Sequence, residues 1–506
     1  MQILSIHFRN CNVEGITIAN RTLTITQLAD DTTLFLKDTS QIQKSIDVIN
    51  VFSKASGLRL NIAKCELLPV KEWCDENVSG ITVKHKVKYL GIIIGKDESA
   101  RVAENFDPLI GSVQKKFNLW LQRDLSITGR SLVSKVEGIS RLIYAAMALH
   151  VSKVICIKID RILFNFIWKN KIHYIKKNVM INNVASGGFD ALDFTSLNAL
   201  FKIKWIKLYL KNPNSIWNFI TTHIFKSVGG LDFLLRCNYN ISKLPVKLAK
   251  FHTQLLMSWS MIYKHNFLPH RYYIWNNQDI QYRNRSLYIE RWVQNNIFLV
   301  SQLLNEDGQL FTYQEFYLSY SMVVTPREYS LVFDAIPEGS RRLLQNSPKG
   351  RNCNVPIFDP KSLLIGYKCA LLSSEASNHC LRGLIQKEIF SKPAAISYWN
   401  NLYKNIEWKH AWLLPRKYLL LRLLHRCYPV KTTMVKFKIN IETLCSFCAN
   451  AEETISHLFW ECIYSHIFLV DLNNYINSKV VPSLKIVFRH ILFGLANIEE
   501  PEMDKR

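Results

Sequence analysis

The chain has 506 residues and a mass of 58.9 kDa, too much for one compact core and enough for two to four domains. Its 48% hydrophobic and 21% charged residues are an ordinary globular balance, which argues against a disordered chain. Lys and Arg number 64 against 40 Asp and Glu, a net charge of +24; such a surplus favours a polyanionic partner, nucleic acid first and a membrane surface as the alternative.

No stretch reaches the ~18 apolar residues of a membrane-crossing helix. Met1 to Arg9 lacks the basic-then-apolar form of a signal peptide. Twelve cysteines without an export signal point to free thiols or metal ligands in the cytoplasm or nucleus.

In chain order, Leu23 to Leu28 alternates apolar and polar residues and reads as a strand, and Thr32 to Leu36 as a second. Ala29-Asp30-Asp31 lies between them. Two adjacent carboxylates at a tight reversal repel each other unless a cation sits there, although a solvated turn carries such a pair too. Ser40 and Gln43 fit a capping box that opens a helix with Ile42, Ile46, Ile49 and Phe52 on one face and Gly57 at its C-cap. Leu58 to Asn61 and Val87 to Ile94 read as further strands.

Phe106, Ile110, Val113, Phe117 and Trp120 predict a long amphipathic helix, broken at Leu125 to Arg130. A second helix comes next with Leu132, Val136, Ile139, Ile143 and Met147 on one face, then a third over Ile159 to Ile167. Residues 200 to 430 read as helical, with aromatic-basic clusters and scattered histidines but no constellation for nucleophilic catalysis. Ile336 to Pro356 reads as the least structured stretch.

Cys445, Cys448, His457 and Cys462 form a C-x2-C-x8-H-x4-C array. Two thiolates across a short turn can take one face of a tetrahedral Zn²⁺, and a His and Cys five apart on a following helix the other; unliganded structural thiols are the alternative.

Several of these blocks resemble the C-terminal portion of non-LTR (LINE-type) retrotransposon reverse transcriptases. Gln27 to Leu36 is similar to the YADD box, with Leu28 in place of the aromatic residue; Ser56 to Glu66 resembles the GL..N..K segment next in order, and Val87 to Ile92 the YLG strand that grips the primer. The resemblance implies catalytic roles for Asp30, Asp31 and Lys64, Mg²⁺ at Asp30, and a primer grip at Tyr89, Leu90 and Gly91. Trp120 to Arg130, Phe166 to Trp168 and Gly187 to Phe194 resemble the thumb and post-thumb region. The implied phosphate contacts there are Lys115, Lys116, Arg130, Lys135, Lys169 and Lys171, each of them taken singly also a solvated-face residue. The cysteine array, with Glu453 to Phe459, resembles the family's C-terminal cysteine-rich element, credited with RNA binding, and Arg416 and Lys417 upstream are further candidate contacts.

The expected fold is therefore α+β: a partial palm sheet, then a mostly helical thumb and C-terminal region with a small zinc element. The expected domains are a truncated palm over 1–98, a thumb over 99–200, a helical linker region over 201–390 and a zinc-bearing C-terminal region over 391–506. The expected partners are RNA and DNA, with no membrane. In-line phosphoryl transfer by two metals needs carboxylates on both sides of the ion pair, and the family's other palm Asp lies well upstream of its YADD box. Ahead of Asp30 the only acid is Glu14, in a stretch resembling the family's N..GI segment. The expectation is a catalytically incomplete polymerase that still binds nucleic acid, the alternative being a non-catalytic binding protein or pseudogene product of retrotransposon origin.

Overall fold

The computed structural model describes residues 2–29, 31–73, 75–183, 188–265, 272–305, 307–345, 363–365, 369–389, 422–423, 425–479 and 486–488. The fold is mixed α+β, as expected. Helix α1 (Gln2–Asn10) leads into a hairpin of β1 (Ile16–Ile18) and β2 (Arg21–Leu23), and β3 (Ile25–Leu28) and β4 (Asp31–Leu34) form a second. After α2 (Ser40–Ser56) come β5 (Glu66–Leu67), β6 (Asn77–Val78) and β7 (Ile81–Val83), a three-stranded sheet with β7 central. A last hairpin pairs β8 (Lys86–Tyr89) with β9 (Ile92–Gly95).

The chain divides into two compact units that interleave in sequence: Met1–Ser112 with Arg141–Ile157 and Phe194–Ile389, and Val113–Ser140 with Lys158–Asp193 and Phe390–Arg506. In the first unit Leu4, Phe8 and Val13 pack against Ile25 and Leu34 of the β3–β4 hairpin and Val48, Ile49 and Phe52 of α2, so two helices brace its base. A second, aromatic core lies in residues 233–344, where Trp275, Trp292 and Phe316 are fully buried. This region, expected to be helical filler, is a packed body with short strands and 3₁₀ turns between its helices.

The long apolar stripe forms α3 (Glu98–Leu121), with Phe106, Ile110, Val113 and Phe117 all buried. Then come α4 (Ile127–Val133), α5 (Ser140–Ala148), α6 (Lys153–Ile167), α7 (Lys177–Met180) and α8 (Phe194–Lys211). Helix α8 packs against α9 (Lys250–Ile262) and α10 (Asn378–Ile389) in the first unit. Helices α11 (Lys431–Lys436) and α12 (Ile463–Lys479) flank the cysteine array in the second.

Five local expectations are corrected. The N-cap of α2 is Thr39 rather than Ser40, and Asp38 caps instead, accepting the Ser40 amide at 2.9 Å and its hydroxyl at 2.5 Å. Leu58 to Asn61 is irregular and leads into a 3₁₀ turn at Ile62–Lys64. Val87 to Ile94 is a hairpin rather than one strand, because Leu90 and Gly91 reverse the chain. Gly129 and Arg130 lie inside α4, with Ser126 as its N-cap, and a π-helical turn over Ser134–Ile139 joins α4 to α5. The wider π turn carries an extra residue and rotates the buried face. Leu132 and Val136 are consequently 60% exposed, while Ile139, Leu142 and Ala146 are buried. Finally, Glu338–Gln345 is helical within the stretch expected to be unstructured; 346–356 lies outside the described residues.

Candidate catalytic hairpin and metal centre

The β3–β4 register pairs Leu28 with Asp31, so the chain reverses just after Leu28, at Ala29. Ala29 has φ +52°, the left-handed conformation that such hairpin turns require. Asp31 is exposed as the first residue of β4, and Leu28 opposite it is 58% exposed, so the carboxylate end of the hairpin faces solvent. Asp30 lies outside the described residues. Glu14 sits at the other end: its neighbour Gly15 bridges to Leu36, and its carboxylate pairs with Lys37 at 2.5 Å. Five residues of extended chain separate Asp31 from Leu36, roughly 16 Å. One metal pair cannot span that distance.

Lys64 is exposed in the 3₁₀ turn. Tyr89 closes β8 opposite Ile92, and Leu90 (φ +46°) and Gly91 (φ +81°) form the turn. A left-handed leucine is costly without support. The Tyr144 hydroxyl supplies it by donating to the Leu90 carbonyl at 2.5 Å, a partner that sequence reasoning missed.

The six expected thumb cations are not equivalent. Lys115 and Lys171 are exposed, and Lys116 is half-buried. Lys135 lies 3.4 Å from Asp190, and Lys169 3.1 Å from Asp124. Arg130 is turned inward: it is buried, with Nε donating to the Ile167 carbonyl at 2.6 Å and a terminal nitrogen to that of Leu125. Arg416 and Lys417 lie outside the described residues.

The cysteine array closes on itself. The ligand atoms of Cys445, Cys448, His457 and Cys462 all lie within 4.8 Å of one another. The Cys445 and Cys462 sulfurs are 4.0 Å apart, and Cys448 Sγ is 3.3 Å from His457 Nε2. A tetrahedron with three Zn–S bonds near 2.3 Å and one Zn–N bond near 2.0 Å has edges of about 3.5–3.8 Å, close to these separations, so the residues fit zinc. Cys445 and Cys448 flank a tight turn in which the Phe447 amide donates to Cys445 Sγ at 3.4 Å and Ala449 takes φ +55°. His457 and Cys462 bracket one π turn closed by the Cys462 amide on the His457 carbonyl at 2.7 Å.

Behind the cluster sits Glu453, buried to 7% exposure, which spacing alone did not single out. It accepts the Ser446 amide at 3.0 Å, the Ser446 hydroxyl at 2.9 Å and the Lys431 amide at 3.1 Å. Burial pushes its carboxyl up, but the hydrogen bonds from Ser446 and Lys431 outweigh that and hold it below the ordinary range. Hydrogen bonding led by the Asn450 amide lowers the Cys448 thiol, whereas burial raises that of Cys462.

Comparison with known proteins finds a family match toward each end of the chain. Residues 1–94 match the family of reverse transcriptases (RNA-dependent DNA polymerases), and residues 390–468 match the zinc-binding domain in reverse transcriptase. The chain is 25% identical over 253 residues to the transposon TX1 uncharacterized 149 kDa protein of Xenopus laevis, covering 46% of this chain and 19% of that protein. The chain thus spans about a fifth of the length of that relative. The two matched regions make the chain similar to a reverse transcriptase over residues 1–94 and to that family's zinc-binding domain over residues 390–468. Together with the transposon relative they support the resemblance to non-LTR retrotransposon reverse transcriptases. No helix among the described residues is long and apolar enough to cross a membrane.

Proposed function

We propose that this chain serves a retrotransposon reverse transcriptase by holding RNA and its DNA product through thumb and zinc element, and that residues 1–506 by themselves do not polymerise. The observation that carries the binding role is the closed Cys445/Cys448/His457/Cys462 cluster in a chain of charge +24. Zinc there is structural: four protein ligands leave no open position for chemistry, and the ion fixes the turn and the helix start that supply them. The catalytic half rests on the hairpin. Asp30 and Asp31 would offer Mg²⁺ one side of a clamp, while the acid that precedes them, Glu14, is paired with Lys37 at the hairpin's far end. A non-catalytic binding protein of retrotransposon origin shares the binding role and differs only in having no polymerase partner residues to complete it.

The test is binding of a structured RNA and of an RNA–DNA duplex by the zinc-loaded chain at stepped salt. The logarithm of the affinity should fall linearly with the logarithm of salt concentration, each phosphate on a duplex contributing about 0.9 to the slope. Absence of binding at modest salt overturns the proposal.

A further inference from the structure

Two segments far apart in sequence meet inside the second unit. The Tyr174 ring packs edge-on against Phe437, with centroids 5.9 Å apart at 84°. The Arg422 guanidinium lies over the Tyr174 ring, 4.9 Å from its centroid, and Phe189 stacks near His425 at 6.2 Å. These contacts join the strip after the third thumb helix to the strip that leads into the metal cluster. Residues 168–177 contain no acid and four lysines, and residues 422–441 contain no acid and five Lys or Arg. Such composition on both sides of a contact is not that of a solvated face, which usually mixes signs.

Four of these cations flank the meeting point. Lys171 and Lys176 lie either side of Tyr174, Lys436 and Lys438 either side of Phe437; all four are exposed and have no ion-pair partner among the described residues. By contrast Lys177 is paired with Asp160 at 2.8 Å, and the Lys431 ammonium donates to the Leu444 carbonyl at 2.6 Å. Like charges gathered without acids repel one another unless a polyanion lies along them. The metal element is tied to this junction through Glu453, which binds the first amide of α11, whose last turn leads to Phe437.

We infer that thumb and zinc element form one continuous surface at the Tyr174–Phe437 junction, and that it takes the phosphodiester backbone of a single nucleic-acid strand across Lys171, Lys176, Lys436 and Lys438. This rests on the binding role proposed above and adds that the two parts act on the same few nucleotides. Ammonium groups on flexible stems recognise phosphate as point charges and carry no base preference.

The experiment uses the zinc-loaded full chain and an unstructured 12-nucleotide oligouridylate. The variants are Lys171→Gln with Lys176→Gln, Lys436→Gln with Lys438→Gln, and all four together. One oligonucleotide should bind per chain. Each pair should lower the salt slope by about 1.4, at about 0.7 per single-strand phosphate contact, and all four by about twice that. An oligodeoxythymidylate of the same length should show the same slopes; a slope loss with RNA alone would contradict a backbone surface. Two oligonucleotides per chain, or sensitivity to only one pair, would overturn the shared surface while leaving binding intact. Failure of the unaltered chain to bind would overturn the binding role as well.

Discussion

The Glu453 carboxylate and Ser446 are joined twice, through the Ser446 amide at 3.0 Å and its hydroxyl at 2.9 Å, and Ser446 lies between the first two metal ligands. The other carboxylate oxygen takes the Lys431 amide. Both oxygens therefore face backbone donors, and an amide side chain would have to point an NH₂ at one of them. Glu453→Gln should weaken zinc affinity 10–100-fold, the usual cost of losing an outer partner of a metal site. Cobalt substitution checks this: the tetrahedral absorption bands should survive but need more cobalt to saturate, and unchanged titration would contradict the role. Because the carboxyl is held below the ordinary range, its contribution is present above the unfolded value near 4.3 and is lost as pH falls through the lowered one.

Gly138 lies where three helical segments of the second unit converge. A Cβ built there would come within 2.6 Å of Phe117 Cζ and 3.0 Å of Leu163 Cδ2, and Phe117 is itself stacked on Phe166 at 4.1 Å. Neither ring can move without disturbing that stack. Gly138→Ala should therefore cost about 1–3 kcal/mol by overpacking, despite the better helix propensity of alanine, and denaturant titration would show it.

Arg130 and Lys171 both read in the sequence as candidate phosphate contacts, yet they should behave oppositely. Arg130→Gln leaves the Ile167 and Leu125 carbonyls short of a donor, at about 1–3 kcal/mol each when buried, so thermal stability should fall. Lys171→Gln should leave stability unchanged and lower RNA affinity. The pair of measurements checks both, and a stability loss confined to Lys171→Gln would contradict the placement.

Lys202 of α8 is fully buried, donating to the carbonyls of Ala146 at 2.8 Å and Leu149 at 2.7 Å, with its ammonium 4.5 Å from the Phe251 centroid. Burial pushes its pKa down to about 7. Between that value and the unfolded value near 10.4 the unfolded chain holds the proton more tightly, so stability rises with pH across the window. Relative to Lys202→Met, the wild-type chain should gain stability from pH 7 to 10 and level off above. At about 1.4 kcal/mol per unit the swing amounts to several kcal/mol, and melting of both proteins at stepped pH measures it.

Much of this was readable beforehand because local rules governed it. The Cys/His spacing located a cluster that needs only two short turns, and the apolar stripe of α3 repeats at the helical period. What failed to show was set by distant partners. Arg130 looked like any surface cation because its acceptors lie 5 and 37 residues away in the chain. The π turn at Ser134–Ile139 shifted a stripe that a regular period placed on Val136. Leu90 passed for a strand residue because its left-handed turn is held by Tyr144, 54 residues on.

Primer extension on an RNA template by purified residues 1–506 with Mg²⁺ tests the central claim most directly. The account predicts tight, salt-dependent retention of the template–primer with no nucleotide incorporated. Template-directed incorporation that disappears in Asp30→Ala or Asp31→Ala would contradict it.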